Sequence, residues 1–421
     1  MIRRLVGATA GRLERLILVV AFFWNRRAHR RDRRPAISGV IGAHDVASMI
    51  TQIAGVIPDS FSVTLTAPRY YGPDSYDWTP SPRIVRRKGP IGVVQRLAFG
   101  PLILADVASR ARGVLYVGPG AFLRYASDDR AWEFRFLKRH DIRIGIYWCG
   151  SDIRSTVLMH ELERAMGLPN IFTYIGIVAP ALEGVAYERS VRVRAILSDD
   201  LADIVFNNPT DQTGYVTAYS EPFYYFMREE RFTDIDHKFD SLSPIVITHA
   251  ATSPVIKGTQ LVRAAIQKLR AEGYEFEYVE LLTASNDEVL EQLRRTHIAL
   301  NQFYGFTPAV FGAESLAAGC AVLQSADGDI ETTLAPGANE AWVVTRHYQI
   351  YDNLKRLLDH PETIRAQAVR GQEWARKYCS ADQTGAVLRG LLEQVTDGVY
   401  DRNTRSLLAA GAAWTLPGAQ P

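Results

Sequence analysis

The chain has 421 residues, which is enough for two domains of ordinary size with large cores. A hydrophobic content of 47% and a charged content of 22% are typical of a soluble globular protein. The cysteines, Cys149, Cys320 and Cys379, are far apart and lack metal-ligand spacing, which argues against a disulfide framework or a zinc site and favours a reducing compartment.

The N-terminal segment 1–34 is strongly basic. Its ten arginines against Glu14 and Asp32 give a formal charge of +8, whereas the whole chain carries +2. The apolar run 16–24 is too short for a bilayer, which needs roughly 20 residues, and no small-residue cleavage site follows it. We expect a short helix on an anionic membrane surface; a solvated tail or a helix docked on the protein body are the alternatives. No interleaved aromatic platform indicates a nucleic-acid ligand.

From residue 35 to 226, short apolar segments alternate with amphipathic ones, a pattern that predicts βα units and a parallel sheet. The predicted elements are strands over 36–41, 61–67, 113–119 and 142–150, helices over 45–54 and 131–140, a turn at 42–44, and a helix end and strand within 193–208. Segment 68–90 contains five prolines and is expected to be an irregular, functional excursion.

The second half repeats the pattern after a charged linker, 227–243, and forms a domain over 244–380 with a C-terminal helix and tail over 381–421. Ser285 and Glu288 predict a capping box. The predicted elements are strands over 244–250, 275–282, 297–302 and 320–325, and helices over 258–273, 285–295 and 308–318, followed by two helices after Pro361 and Ser380.

The start of the helix 308–318 indicates an anion site. Thr307 is a plausible N-cap and Pro308 a plausible first helical residue, because proline has no amide hydrogen to leave unsatisfied. The amides of Ala309, Val310 and Phe311 would then face a diphosphate beyond the end of a strand. Glu314, about two turns into the helix, could reach a ribose. An exposed helix with a solvated glutamate is the alternative.

Lys257 and Gly258 follow strand 244–250 and suggest a second phosphate contact. An ammonium there can neutralise a diphosphate, and glycine allows close backbone approach. A solvated surface lysine is the alternative. The two signals strengthen each other because both lie beyond strand ends of the same predicted sheet.

The segments "THAATSPVIKGTQLVRAAIQKL" and "GAESLAAGCAVLQS" resemble the C-terminal domain of retaining, group-1 or family-4-like bacterial GT-B glycosyltransferases. "EFRFLKRHDIRIGIYWCGSDIRS" (133–155) is similar to the helix, strand and H-G-S-D-x-R turn of their N-terminal domain. The resemblance implies an α/β protein of the GT-B fold, with two Rossmann-like domains whose parallel sheets face a central cleft.

The resemblance also implies roles for individual residues. Lys257 would bind the donor diphosphate and Glu314 the ribose, with Asp152 as a third catalytic group. Facing the acceptor would be the turn after the fourth strand and the end of the first: Cys149, Gly150, Ser151, Arg154, Gly42 and His44. Two positions depart from the family pattern: Phe306 replaces a frequent glutamate, and Cys149 replaces a frequent histidine.

The expected activity is glycosyl transfer from a nucleoside diphosphate sugar to a lipid-linked or polysaccharide acceptor in envelope glycan synthesis, at the cytoplasmic face of the plasma membrane. No cofactor or metal is expected, since the sequence Asp-Ile-Asp at 234–236 lies in the linker with no strand before it. A catalytically silent GT-B scaffold in a polysaccharide assembly complex, favoured by Phe306 and Cys149, is the alternative. An epimerase would need an acid and base set that the sequence does not offer.

Overall fold

Two five-stranded parallel sheets form the cores of the structure, a computed structural model that describes residues 2–32, 37–46, 48–66, 75–80, 89–124 and 130–405. The predicted α/β class with two Rossmann-like domains is confirmed. Most strand residues are buried on both faces of each sheet, as expected for parallel sheets covered by helices.

The N-terminal sheet is built from strands β1 (Val40–Ala43), β2 (Phe61–Ser62), β3 (Gly113–Val117), β4 (Arg143–Tyr147) and β5 (Ile204–Phe206), in the order β2-β1-β3-β4-β5. Its helices are α1 (Ile2–Asp32), α2 (Met49–Ala54), α3 (Pro90–Ala108), α4 (Ala131–Arg139), α5 (Thr156–Met166), α6 (Ile175–Val178) and α7 (Val185–Leu201).

The second sheet is built from strands β6 (Val246–Ala250), β7 (Glu277–Leu281), β8 (Ile298–Leu300), β9 (Ala321–Gln324) and β10 (Val343–Val344), in the order β10-β9-β8-β6-β7. Its helices are α8 (Pro254–Lys257), α9 (Thr259–Ala271), α10 (Asn286–Arg295), α11 (Ala309–Ala317), α12 (Ala338–Ala341), α13 (Ile350–Asp359), α14 (Glu362–Cys379) and α15 (Ala381–Thr396). The predicted capping box of Ser285 and Glu288 is present at the start of α10.

The first βα unit differs from the prediction. Strand β1 extends through Ala43, so Gly42 is not in a turn, and α2 begins only at Met49. Ser48 has a left-handed φ of 62°, which a helix cannot include, and the Asp45 carboxylate accepts a hydrogen bond from the Ile50 amide at 3.0 Å. Of the predicted excursion 68–90, segments 68–74 and 81–88 lie outside the described residues, as does the start of the predicted strand 36–41.

The C-terminal helix α15 packs on the N-terminal domain. Linker 227–243 contains one short 3₁₀ turn, Glu229–Arg231, and leads into β6. Helix α15 then returns to the N-terminal domain, where the Thr384 hydroxyl donates to the Tyr225 carbonyl at 2.7 Å and Arg389 donates to the Val56 carbonyl at 2.8 Å. These contacts hold the C-terminal helix, which follows the second domain in the chain, against the N-terminal domain.

Helix α1 is longer than the predicted apolar run and is docked on the N-terminal domain, one of the alternatives considered for it. Glu14, Leu18 and Phe22 face inward and are fully or almost fully buried. Within the described residues, one helix, α3, is long and apolar enough by length and composition to cross a membrane.

Candidate functional site

A cleft of about 770 Å³ lies between the two sheets, and both domains line it. The N-terminal domain contributes loops that follow β1, β4 and β5, and the C-terminal domain contributes segments that follow β6 and β8. The cleft is therefore at the carboxyl ends of the strands, where ligands bind in open α/β sheets.

The structure brings the two predicted phosphate contacts together. Lys257, the last residue of α8, lines the same cleft as Thr307 and the first three residues of α11, Ala309 to Phe311. Gly258 has a φ of +80° and connects α8 to α9, but it packs beside Phe303 and is not part of the cleft wall. Its role is to allow the sharp turn that leaves Lys257 at the cleft.

The Lys257 ammonium lies in a buried environment that lowers its pKa. Its Nζ donates to the Gln302 side-chain oxygen at 2.9 Å. Burial is the main cause that lowers the pKa of Lys257 to about 8; the Asp211 carboxylate opposes this shift, and the Arg154 guanidinium adds to it. At pH 7 this lysine is still mostly charged, but above pH 8 it is mostly neutral.

Arg154 and Asp211 bring further charge to this part of the cleft from the other domain. The Arg154 Nε donates to the Asp211 carbonyl at 2.6 Å, and an Nη donates to the Asp211 carboxylate. The other carboxylate oxygen of Asp211 accepts from the Phe306 amide at 2.7 Å, so this aspartate joins the two domains. Asp211 was not predicted as a site residue from the sequence, although its position after β5 is a signal that could have identified it.

A second buried carboxylate joins the domains beside the cleft. Glu331 accepts from the amides of Thr210 and Asp211 at 2.9 and 2.8 Å. Burial raises the pKa of Glu331 to about 7. These bonds hold the loop after β5, and therefore Asp211, against the C-terminal domain.

The start of α11 differs in one detail from the prediction. Pro308, not Thr307, occupies the N-cap position, because Ala309 with its φ of +52° forms the bend into the helix. Gly312 donates to the Pro308 carbonyl at 3.2 Å, which makes it the first amide of the helical ladder. The amides of Ala309, Val310 and Phe311 precede that ladder at the positive end of the helix dipole.

Glu314 is buried at the wall of the cleft, with 5% of its surface exposed. Its Oε1 accepts from the Asn286 side-chain amide at 3.0 Å, and burial raises its pKa. Five apolar residues line the same cleft, and we call them the apolar slot: Leu281, Leu282, Val289, Val310 and Phe311.

The turn after β4 reaches the cleft only in part. Cys149, Gly150 and Arg154 line it. Gly150 has a φ of +111° and its amide donates to the Gln212 side chain at 2.8 Å. Burial raises the pKa of the Cys149 thiol, which is uncharged as a result, and all three cysteines of the chain are free.

Asp152 and Ser151 do not face the cleft as expected. The Asp152 carboxylate turns back into the loop, where it accepts from the Cys149 amide at 3.0 Å. The Ser151 carbonyl accepts from the Tyr187 hydroxyl at 2.6 Å. Both residues therefore shape the turn, and Asp152 is not placed to act on a ligand in the cleft.

Gly42 and His44 are also outside the cleft wall. Gly42 lies within β1, where an added Cβ would be 3.0 Å from both the Phe122 ring and the Val63 carbonyl. His44 packs against Gly120, and burial lowers the pKa of its imidazole. Close packing beside β1 explains the glycine better than a ligand does.

The residue after His44 faces the cleft instead. Asp45 lies opposite the C-terminal domain, and its Oδ2 accepts from the Tyr76 hydroxyl at 2.5 Å. Burial raises the pKa of the Asp45 carboxyl. Asp45 was predicted to lie in a helix, and its place in the cleft was not predicted; its position just after β1 was the available signal.

In the part of the chain that the structure describes, no group of three or more His, Cys, Asp or Glu side chains could hold a metal ion. Phe306, at the position of the frequent family glutamate, is buried with 2% exposure. Its backbone amide, and not its side chain, takes part in the polar contacts at the cleft.

Comparisons with known proteins found similarity in fold. No family model and no curated protein matches the sequence. Sucrose-phosphate synthase from Thermosynechococcus elongatus superposes with a TM-score of 0.55 at 11% identity, covering 87% of this chain and 100% of that one. Anabaena HepE, solved with UDP and glucose, superposes with a TM-score of 0.53 at 10% identity, covering 85% of this chain and 99% of that one.

An α-glucosyltransferase solved with UDP and a 13-mer DNA gives a TM-score of 0.52 at 10% identity, covering 85% of this chain and 99% of that one. All three matches extend over both domains. The chain has the GT-B fold, as the sequence resemblance implied.

Proposed function

We propose that this chain is a glycosyltransferase that uses a nucleoside diphosphate sugar as its donor. One observation carries the proposal: Lys257 and the start of α11 line a single cleft between two GT-B domains. Two of the similar structures contain UDP, which makes a UDP-sugar the first donor to test.

The donor diphosphate would lie between Lys257 and the amides at the start of α11. In the reaction, the bond between the anomeric carbon and the diphosphate oxygen breaks, and a bond to the acceptor oxygen forms. Negative charge develops on the leaving diphosphate. An ammonium and helix amides that line the cleft can stabilise that charge without a metal ion. Arg154 adds a second cation from the opposite domain.

The nucleoside would occupy the C-terminal wall of the cleft. Glu314, oriented by Asn286, can accept hydrogen bonds from two ribose hydroxyls. The base would lie in the apolar slot beside Val310 and Phe311.

The acceptor would approach from the N-terminal domain, where Asp45 can accept a hydrogen bond from the reacting hydroxyl. In the retaining reaction that the resemblance implies, the acceptor proton passes to the leaving phosphate. Asp45 then orients the hydroxyl and does not need to keep the proton. The anomeric configuration of the product, read by NMR, tests this stereochemistry.

A lipid-linked or polysaccharide acceptor at the cytoplasmic face of the plasma membrane fits the basic N-terminal segment. Its charge of +8 favours an anionic leaflet. A membrane-held acceptor explains why a cleft enzyme would carry such a segment.

A silent scaffold is the second candidate, and Phe306 favours it, because a phenyl ring cannot make the polar contact to a transferred sugar that a glutamate can make. A scaffold of this kind would bind a sugar nucleotide without turning it over.

Calorimetric titration and donor hydrolysis with a panel of UDP-, GDP-, ADP- and dTDP-sugars test the proposal. We expect binding of one nucleotide class and slow release of its nucleoside diphosphate. Lys257→Met should strongly lower both, and Lys268→Met, which removes an exposed lysine on α9, should change neither. Binding without hydrolysis or transfer to any acceptor would support the scaffold, and no binding by any donor would refute both functions.

A further inference from the structure

The outward side of α1 is an apolar stripe. Leu16, Val20 and Trp24 are 60%, 60% and 76% exposed, and Leu13 and Phe23 are about half exposed beside them. Spacings of three and four residues put these side chains on one face of the helix. The inward face of α1 packs on the domain, so this helix is apolar on both sides. A helix that binds only its own protein needs apolar residues on its inward side alone.

Helix α3 has a second outward apolar stripe. Ile91, Val94 and Leu102 are 58%, 63% and 46% exposed and follow the same spacing. On the other side, Leu97 and Leu104 are buried against the domain. Because its inward half is committed to the protein core, α3 cannot cross a bilayer while the domain is folded, although its length and mean hydropathy of 1.5 suffice.

The two stripes lie beside each other. Helices α1 and α3 pack along their length. His29 and Asp106 are in contact at 3.1 Å near the C-terminal ends of both helices, so the helices run in the same direction. Since Phe22 and Leu104 belong to one buried cluster, both helices turn their other sides to solvent together. We call these outward residues, Leu13, Leu16, Val20, Phe23, Trp24, Ile91, Val94 and Leu102, the paired face.

Positive charge lies at both ends of the α1 part of the paired face. Arg12 and Arg27 are exposed at the two ends of the α1 stripe. In the sequence, segment 81–88 immediately precedes α3 and carries three arginines and one lysine without an acidic residue. An apolar centre between basic ends is the composition of a surface that inserts shallowly into an anionic leaflet.

We propose that the paired face binds the surface of an anionic lipid bilayer, with α3 contributing as much as α1. The bilayer is favoured over a second copy of this chain because a two-fold contact between two such faces would bring arginines of one copy against those of the other. The inference does not rest on glycosyl transfer, since it concerns a surface and not the cleft.

Vesicle flotation of the full chain tests the proposal. The vesicles contain phosphatidylcholine alone or with phosphatidylglycerol, over a range of NaCl concentrations. The α3 variant is Ile91→Ser with Val94→Ser and Leu102→Ser. The control is Ile177→Ser with Val185→Ser, which replaces two apolar side chains that are more exposed, at 73% and 87%, but lie elsewhere. Thermal unfolding of each variant reports independently on its fold, and titration with UDP reports on the cleft.

We expect the wild type to float with anionic vesicles and to be released by salt, because exposed charges are screened. The α3 variant should lose binding about tenfold or more, since three apolar side chains no longer enter the leaflet, whereas the control stays at the wild-type level. Equal flotation of the α3 variant and wild type would overturn the proposal. The proposal would also be overturned if the wild type does not float but forms a dimer, and the α3 variant is a monomer. The paired face would then bind a second copy of the chain. If the wild-type chain binds no sugar nucleotide, that result would refute only the proposed function and not the membrane surface.

Discussion

Replacing Lys257 by methionine removes one positive charge from the cleft and keeps a side chain of similar length. In the structure Lys257 makes one side-chain hydrogen bond, to Gln302 at 2.9 Å, so the variant should fold. What it should lose is affinity for the donor diphosphate.

The expected loss follows from the position of the ammonium. A unit charge pair at about 4 Å is worth roughly 4 kcal/mol at an effective dielectric constant of 20, and a hydrogen bond to a charged group about 1.5–3 kcal/mol. Only part of this appears as a change in affinity, because the diphosphate exchanges hydrogen bonds with water for those with the ammonium. A net loss of about 2–4 kcal/mol corresponds to a roughly 30- to 700-fold weaker Kd.

The pH dependence gives a sharper signature. The pKa of Lys257 is lowered to about 8, and a bound diphosphate would raise it. The donor therefore binds the protonated form, so affinity should be flat below pH 8 and fall about tenfold per pH unit above it. Calorimetry with a UDP-sugar from pH 6.5 to 9 measures this slope. In Lys257→Met the slope should vanish, and a variant that binds within threefold of wild type with the same pH profile would refute the assignment.

Three further predictions concern the rest of the cleft. Glu314→Ala should weaken donor binding by about 1.5–3 kcal/mol and remove any preference for a ribonucleotide over its 2′-deoxy analogue in calorimetry; an unchanged preference would place the ribose elsewhere. Asp45→Asn should lower turnover with acceptor while the donor Kd stays constant, and a parallel loss of both would mean that Asp45 only stabilises the loop. Gly150→Ala should cost about 1–3 kcal/mol in urea unfolding, more than Gly167→Ala, because φ is +111° at Gly150 and an added Cβ lies 2.9 Å from the Arg154 guanidinium, whereas Gly167 has open space; equal losses would show that this contact is unimportant.

The C-terminal half was predictable because its signals are local. Alternating strands, the Ser285 capping box and the helix start at Pro308 depend on residues within a few positions of one another, and each occurs in the structure close to its predicted place. The meeting of Lys257 with that helix start also followed from sequence, since strand ends of one parallel sheet share an edge.

The N-terminal side of the cleft was less predictable because long-range packing decides it. Asp152 faces its own turn and Asp45 faces the cleft, although both follow strands in the sequence. Asp211 acquires its role from Arg154 and Phe306, which are 57 and 95 residues away. Helix α3 was missed because its pattern is apolar on both sides and adjoins a proline-rich segment.

A structure of the chain with a bound UDP-sugar tests the shared phosphate site most directly. We predict diphosphate oxygens about 2.7–2.9 Å from both the Lys257 Nζ and an amide nitrogen at the start of α11. A diphosphate that contacts only one of these two groups, or lies outside the cleft, would contradict it.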